Sequence, residues 1–310
     1  MKKFIKIIRW TFIVLAVLIT AIAAIVASRQ HLTYKAEYPG IKASADTAII
    51  ARGRHLAYSA AHCIDCHHKG NPDSLIQLGK EVPLTGGVSF VLPVGTIYSK
   101  NITSDVETGI GKYTDGEIAR ALRYGLHPDG TAVYDFMPFH NTSDEDLTAI
   151  ISFLRSQKPV KNVVPANKLN LIGNAVQAFL VKPIGPTEPV IKSIIHDTSA
   201  TYGKYLALSV AECNGCHTKR DIAGKFTGEP FAGGADFDGI ISPNLTPDSS
   251  GRIFLWTKKL FIERFRMGKL VDKSPMPWNS FKRMTDDELT AIYKYLRTLQ
   301  PVKNDIAKNK

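Results

Sequence analysis

Two pentapeptides carry the residues with the clearest chemistry, Cys63-Ile64-Asp65-Cys66-His67 and Cys213-Asn214-Gly215-Cys216-His217. Both read C-x-x-C-H, the pattern for covalent attachment of a c-type haem. Two thiols add across the two vinyl groups to form thioethers, and the histidine that follows is placed to ligate the iron as proximal base. A bare C-x-x-C also suits a dithiol redox pair or half of a zinc site. A redox pair does not need the histidine. A zinc site would pool both pairs, whereas these stand 150 positions apart and each has its own histidine. The chain contains four cysteines, and the two motifs use them all. The expected cofactors are two covalently bound haem c groups, one on Cys63, Cys66 and His67, the other on Cys213, Cys216 and His217.

A haem iron in an electron carrier normally has a second axial ligand. No histidine follows His217 in the sequence, which leaves Met267, Met276 and Met284 as distal candidates for the second haem. Met276 aligns with Met137, the only methionine between Met1 and Met267, and both stand before proline and an aromatic residue. Proline removes a donor and fixes φ, which helps hold a thioether in place. Met137 and Met276 are therefore the expected distal ligands, with His67 and His217 opposite them. Such His/Met pairing raises the reduction potential. The competing reading of a loop methionine is gap-filling core. His127 and His140 rival Met137 at the first haem but have no counterparts in the second half.

The elements that must position these residues come in two copies. Gly53 through Cys63 matches Gly203 through Cys213 at an offset of 150, an amphipathic helix leading into each motif, and the paired glycines suit close helix packing. Further on, Asn101-Ile102-Thr103 meets Asn244-Leu245-Thr246, Tyr113-Thr114 meets Trp256-Thr257, and Arg123 meets Arg266. The Asn triplets mark either a propionate-binding loop, with Tyr113 and Trp256, or an Asn-capped turn. Ser143-x-x-Asp146 and Thr285-x-x-Glu288 open the two closing helices as capping boxes. Leu147, Ile150, Ile151 and Leu154, like Leu289, Ile292, Tyr293 and Leu296, form core stripes at helical spacing. His31, His55 and His196 read as bland, and His62 and His68 as solvent-facing or near a propionate.

The N-terminus carries four cations within Met1–Trp10, followed by an uncharged apolar run from Thr11 to Ala27. With Trp10 that run is long enough for roughly 27 Å of helix, near the thickness of a hydrocarbon core. The cations keep the tip cytoplasmic and send the rest outward. A cleaved signal peptide is the rival reading, but its Ala21-Ile22-Ala23 site lies inside the run, so an uncleaved single-pass anchor is favoured. Lys plus Arg number 39 against 28 Asp plus Glu, a formal net charge of +11. That excess suits an acidic protein partner or anionic lipid. No nucleic-acid recognition motif is present, so nucleic acid is excluded as a partner.

These readings divide the chain into a basic tip and membrane anchor at 1–27, a tether at 28–47, a first domain at 48–160, a linker at 161–198 and a second domain at 199–306. In the linker, Leu169 to Val181 is apolar, too short to span a membrane, and reads as a short helix wedged between the domains.

The segments Ser99-Lys100-Asn101-Ile102-Thr103-Ser104-Asp105, Thr108-Gly109-Ile110-Gly111, Ala121-Leu122-Arg123-Tyr124-Gly125 and Asp144 to Ile150 give the chain a family likeness. It resembles class I-like cytochrome c domains in tandem and, more narrowly, the cytochrome c subunits of membrane-bound alcohol and gluconate dehydrogenases. The resemblance covers about residues 48–306, with two haem motifs where those subunits usually have three. It implies an all-α fold of two tandem cytochrome c domains behind the N-terminal transmembrane helix. The function it implies is electron carriage without intrinsic catalysis. Single electrons would pass from a periplasmic or membrane dehydrogenase to an oxidase or other respiratory acceptor, on the periplasmic face of the cytoplasmic membrane. The alternative is a dihaem enzyme such as a cytochrome c peroxidase, which needs one iron open to peroxide.

Overall fold

The computed structural model of the chain describes residues 2–137, 139–221 and 224–306. It begins with one long helix, α1 (Lys2–Ser28). Among the described residues α1 is the one helix long and apolar enough to cross a membrane. Most of its length is exposed, Phe12, Val17 and Ile22 included, and it meets the rest of the chain at a later helix.

The first half then runs through α2 (Thr47–Tyr58), α3 (Cys63–His67), α4 (Asp73–Gln77), β1 (Ser89–Leu92), β2 (Gly95–Tyr98), α5 (Asp115–Tyr124) and α6 (Asp144–Ser156). A connecting stretch holds β3 (Lys168–Leu169) and α7 (Leu171–Phe179). The second half contains α8 (Ala200–Tyr205), continued by a π-helical turn at Leu206–Val210, and α9 (Cys213–His217). It goes on through β4 (Asp236–Phe237), β5 (Ile240–Ile241), α10 (Lys258–Arg266), α11 (Trp278–Phe281) and α12 (Asp286–Thr298). Helices dominate, but the all-α expectation holds only in part. β1 and β2 form an antiparallel hairpin that adds β3 at its edge, and β4 pairs with β5. The cause is local: Phe90, Val91, Thr96, Ile97 and Tyr98 favour extended backbone, and a two-residue connection closes the hairpin.

Each half is built around one helix crossing. The ideal Cβ of an alanine at Gly53 would lie 1.8 Å from the Ala149 carbonyl oxygen, and one at Gly203 would lie 1.9 Å from that of Ala291. Bare glycine therefore lets α2 lie directly on α6, and α8 on α12, as the aligned glycines suggest. Ser143 caps α6 through the Asp146 amide, and Thr285 with Glu288 forms a full capping box on α12. Leu147, Ile150, Ile151 and Leu154 are buried, as are Leu289, Ile292 and Leu296.

The two crossings pack against each other through a buried polar network. Arg52 of α2 donates to both carboxylate oxygens of Asp146, at 2.9 and 3.1 Å, and to Glu288 of α12 at 3.0 Å. His55 donates to Glu288 at 2.9 Å, and Tyr205 of α8 donates to Asp146 at 2.8 Å. His55 is thus a structural residue of the junction. His196, 3.8 Å from Asp146, lies at its margin. A second contact joins Asp73 of α4 to Lys282 and Arg283, and Arg283 also donates to the Tyr58 carbonyl. The apolar linker stretch does form a helix, α7, but it is not wedged between the halves. Leu171, Ile172 and Leu180 are exposed, and α7 lies against α1 and β3.

Candidate functional site

An amphipathic helix leads into each motif, and the chain then breaks at a residue in left-handed backbone conformation, His62 at φ 39° and Glu212 at φ 50°. Immediately before the break, the Ala61 amide reaches back to the Leu56 carbonyl, and the Ala211 amide to that of Leu206. These are the same five-residue closure in both copies. The chain then turns into a single helical turn, α3 or α9, which puts the two cysteines and the histidine at i, i+3 and i+4. Those positions share one helix face, so two sulfurs and an imidazole project together from each turn.

The imidazoles are aimed by the backbone. His67 is buried, and its Nδ1–H donates to the Lys100 carbonyl at 2.7 Å. His217, equally buried, donates to the Pro243 carbonyl at 3.0 Å. A carbonyl only accepts, so Nδ1 carries the proton and Nε2 keeps its lone pair for a metal. Burial, outweighing that hydrogen bond, pushes both histidines below their ordinary range, which favours the neutral imidazole.

Glycine and asparagine fix the accepting carbonyls. Gly86 and Gly233, both at positive φ, donate their amides to the His67 and His217 carbonyls at 2.8 and 2.7 Å. A Cβ at Gly86 would strike the Lys100 carbonyl. Asn101, next to Lys100, accepts from the Thr103 amide and hydroxyl and donates to Thr108 and to the Val160 carbonyl. Asn244 repeats this with Thr246, Ser250 and Val302. Both amides are buried and satisfied inside the protein. Of the two readings of the Asn triplets, the capped turn is therefore the one found, and these side chains do not reach for propionates. The sequence reading missed the Lys100 and Pro243 carbonyls, since a backbone acceptor leaves no residue-type signal.

The thiols are not poised for redox cycling. Burial first, then the neighbouring thiol, pushes Cys63 and Cys213 up to about 12. Burial, then the Asp65 charge, pushes Cys66 up to about 11, and Cys216 is also raised. Reactive dithiols have the opposite shift. No cluster of three or more His, Cys, Asp or Glu groups able to hold a bare ion occurs among the described residues. The donor set in each turn, two sulfurs and one neutral imidazole, fits a haem c.

Met137 and Met276 are half-buried and pack against the core. The Met137 carbonyl accepts from the Phe139 amide at 2.9 Å, and the Met276 carbonyl from the Trp278 amide at 2.8 Å. Pro277, at φ −76° and ψ 58°, makes the second an inverse γ-turn. Pro138 lies outside the described residues. Met267 is exposed on the surface and Met284 is core. His140 is occupied at both nitrogens, 3.1 Å from the Arg123 carbonyl and 3.4 Å from Asp135. His127 lines a cavity of about 830 Å³ with Lys100 and Tyr113. Arg123 and Arg266 hold the far ends of the methionine loops through the Thr142 and Lys282 carbonyls. His62 is not solvent-facing, because its ring lies 5.6 Å from Phe281 of the other half. His68 donates to the Pro83 carbonyl.

No protein-family model matches the chain. It is 32% identical over 279 residues to the cytochrome c subunit of the quinone alcohol dehydrogenase of Gluconobacter oxydans, covering 83% of this chain and 56% of that one. It is 28% identical over 290 residues to the gluconate 2-dehydrogenase cytochrome c subunit of Pantoea cypripedii, covering 82% and 60%. A dihaem c-type cytochrome of Cereibacter sphaeroides is 24% identical over 274 residues, covering 83% of this chain and 88% of its own. The chain thus spans little more than half the length of the dehydrogenase subunits it matches. Over most of its own length it is similar to the cytochrome c subunits of dehydrogenases and to a dihaem c-type cytochrome.

Proposed function

We propose that this chain is a membrane-anchored dihaem c-type cytochrome that passes single electrons from a periplasmic or membrane dehydrogenase to a respiratory acceptor. The observation that carries the reading is the duplicated turn in which a buried histidine gives its Nδ1 proton to a fixed carbonyl while two cysteines flank it on one face. When bound, a haem c supplies a reversible one-electron iron couple. Cys63 with Cys66, and Cys213 with Cys216, would hold such a group covalently. His67 and His217 would offer Nε2 to its iron, and Met137 and Met276 would supply the thioether ligands. The Arg52 network keeps the two units in one relative orientation, which a transfer path between them requires. Residues 1–27 anchor the chain in the cytoplasmic membrane, with domains 48–160 and 199–306 on the periplasmic side. The relatives' roles as cytochrome subunits support a carrier rather than a catalytic subunit.

Mass spectrometry of the mature protein tests the first part, and two added haem masses are expected. The near-infrared methionine-to-iron band of the oxidised protein tests the second. It should be lost by half in Met137→Ala and by half in Met276→Ala. A single haem, or a band that survives both substitutions, contradicts the reading. Rapid peroxide turnover by the prereduced protein would favour the peroxidase alternative.

A further inference from the structure

Helix α7 is amphipathic in the inverted sense for a helix of a soluble protein. Its inner side consists of the buried Gly173 and Ala178 with the half-buried Asn174 and Gln177, small or polar residues on one contiguous arc of the wheel. Gly173 comes so close to the hairpin that an added Cβ would lie 2.0 Å from the Val94 carbonyl. Gln177 donates to the Gln30 carbonyl and accepts from the Tyr134 hydroxyl. The opposite arc holds Leu171, Ile172, Ala175, Val176, Phe179 and Leu180. Leu171 is 88% exposed, Ile172 66% and Leu180 62%. A helix that turns polar atoms inward and leucines outward does not owe its outer face to the core of this chain.

What covers that face follows from where α1 ends. Arg29, the first residue after α1, donates Nε to the Ala178 carbonyl at 3.0 Å and stacks its guanidinium over the Phe179 ring at 5.2 Å. Gln30 donates to the Asn174 carbonyl at 2.9 Å. The exit of the apolar helix is thus bonded directly onto two backbone carbonyls of α7. Exposed Lys168 and Lys182 bracket α7 at either end, where cations suit anionic headgroups. We propose that α7 is an interfacial helix whose apolar arc lies in the headgroup and acyl boundary of the phospholipid bilayer crossed by α1. The inference rests on the reading of α1 as a membrane anchor. It turns a flexible tether into a two-point mount: α1 sets the level of the membrane, and α7 sets the tilt of the first haem unit above it.

The test uses the full chain in nanodiscs of mixed zwitterionic and anionic phospholipid. Single cysteines are introduced by Ile172→Cys, Ala175→Cys, Val17→Cys in α1 and Leu255→Cys, the last at an 84% exposed site in the second half. Each is spin-labelled, and its collision rates with oxygen and with a water-soluble nickel chelate are compared. Only variants with full haem content are scored. Labels at 172 and 175 should favour oxygen over nickel, as at 17, while 255 shows the reverse. If 17 is in lipid but 172 and 175 are as accessible to nickel as 255, α7 is off the membrane and another surface covers it. If 17 itself is in water, the anchor reading fails and the α7 placement falls with it. A photoactivatable lipid on the unmodified protein gives a second reading that needs no new cysteine. Adducts are expected on residues 171–180 as well as on α1, and adducts confined to α1 overturn the proposal.

Discussion

Arg52 and Glu288, 236 positions apart in sequence, meet at 3.0 Å where the two halves join. Arg52 is the residue before Gly53, so the side chain that ties the halves together leaves α2 beside its crossing with α6. Its other partner, Asp146, is fully buried and sits at the third position of α6, as Glu288 does in α12. The third residue of each closing helix is therefore also an anion of the junction.

Removing Arg52 strands two buried carboxylates. Loss of one partner from a buried pair costs about 3–5 kcal/mol. Arg52→Met should destabilise the protein by that order. It should also split a single denaturant transition into two as the halves lose their common junction. Denaturation followed by far-ultraviolet and Soret circular dichroism checks this, and one unshifted transition would count against it.

The junction should fail in acid. Burial by itself would raise the Glu288 carboxyl, but hydrogen bonding and charge from His55, the Thr285 amide and the Arg52 charge outweigh it and hold it at about 2, against an ordinary 4.5. A depressed carboxylate stabilises the fold above its ordinary value, and that contribution disappears as pH falls from 4.5 toward 2. It amounts to about 3 kcal/mol. Glu288→Gln should lower stability at about pH 7 and flatten the loss between about pH 5 and pH 2. An unchanged acid slope by urea titration would remove Glu288 from this role.

The helix crossings leave no room for a methyl group. Gly53→Ala and Gly203→Ala must each push a helix pair apart, since the new Cβ would lie within 2 Å of a carbonyl oxygen. The cost should reach or exceed the ~3 kcal/mol upper range of overpacking. Gly40→Ala, with nothing within 4 Å of its Cβ, is the matched control and should be near neutral. Thermal melts of the three variants make the comparison.

Asn101 and Asn244 should act on the histidines through the backbone. Asn101→Ala and Asn244→Ala each leave the Thr103 or Thr246 amide without its acceptor, costing roughly 1–3 kcal/mol apiece. Because Lys100 and Pro243 immediately precede them, the histidine acceptor loosens as well. In a spectroelectrochemical titration one of the two haem potentials should fall outside its wild-type value while the other stays put. A stability loss with both potentials unchanged would limit these residues to a structural role.

Much of this protein was legible in its residue order because its signals are local. Cys-x-x-Cys-His makes a single helical turn, Ser143 and Thr285 start their helices, and duplication exposes Gly53 with Gly203 as positions where a side chain is not tolerated. Those are properties of contiguous residues, and repetition made each visible twice. Tertiary structure alone decided the rest, because it depends on groups distant in sequence or without a side-chain signature. The acceptors for His67 and His217 are backbone carbonyls, which any residue can supply. His55 appeared bland until α12 brought Glu288 beside it. The stretch at 171–179 had the apolarity of a buried helix, but composition does not say which way an apolar face points. That was set by the polar contacts of Gln177 and by the end of α1, which turned the helix outward.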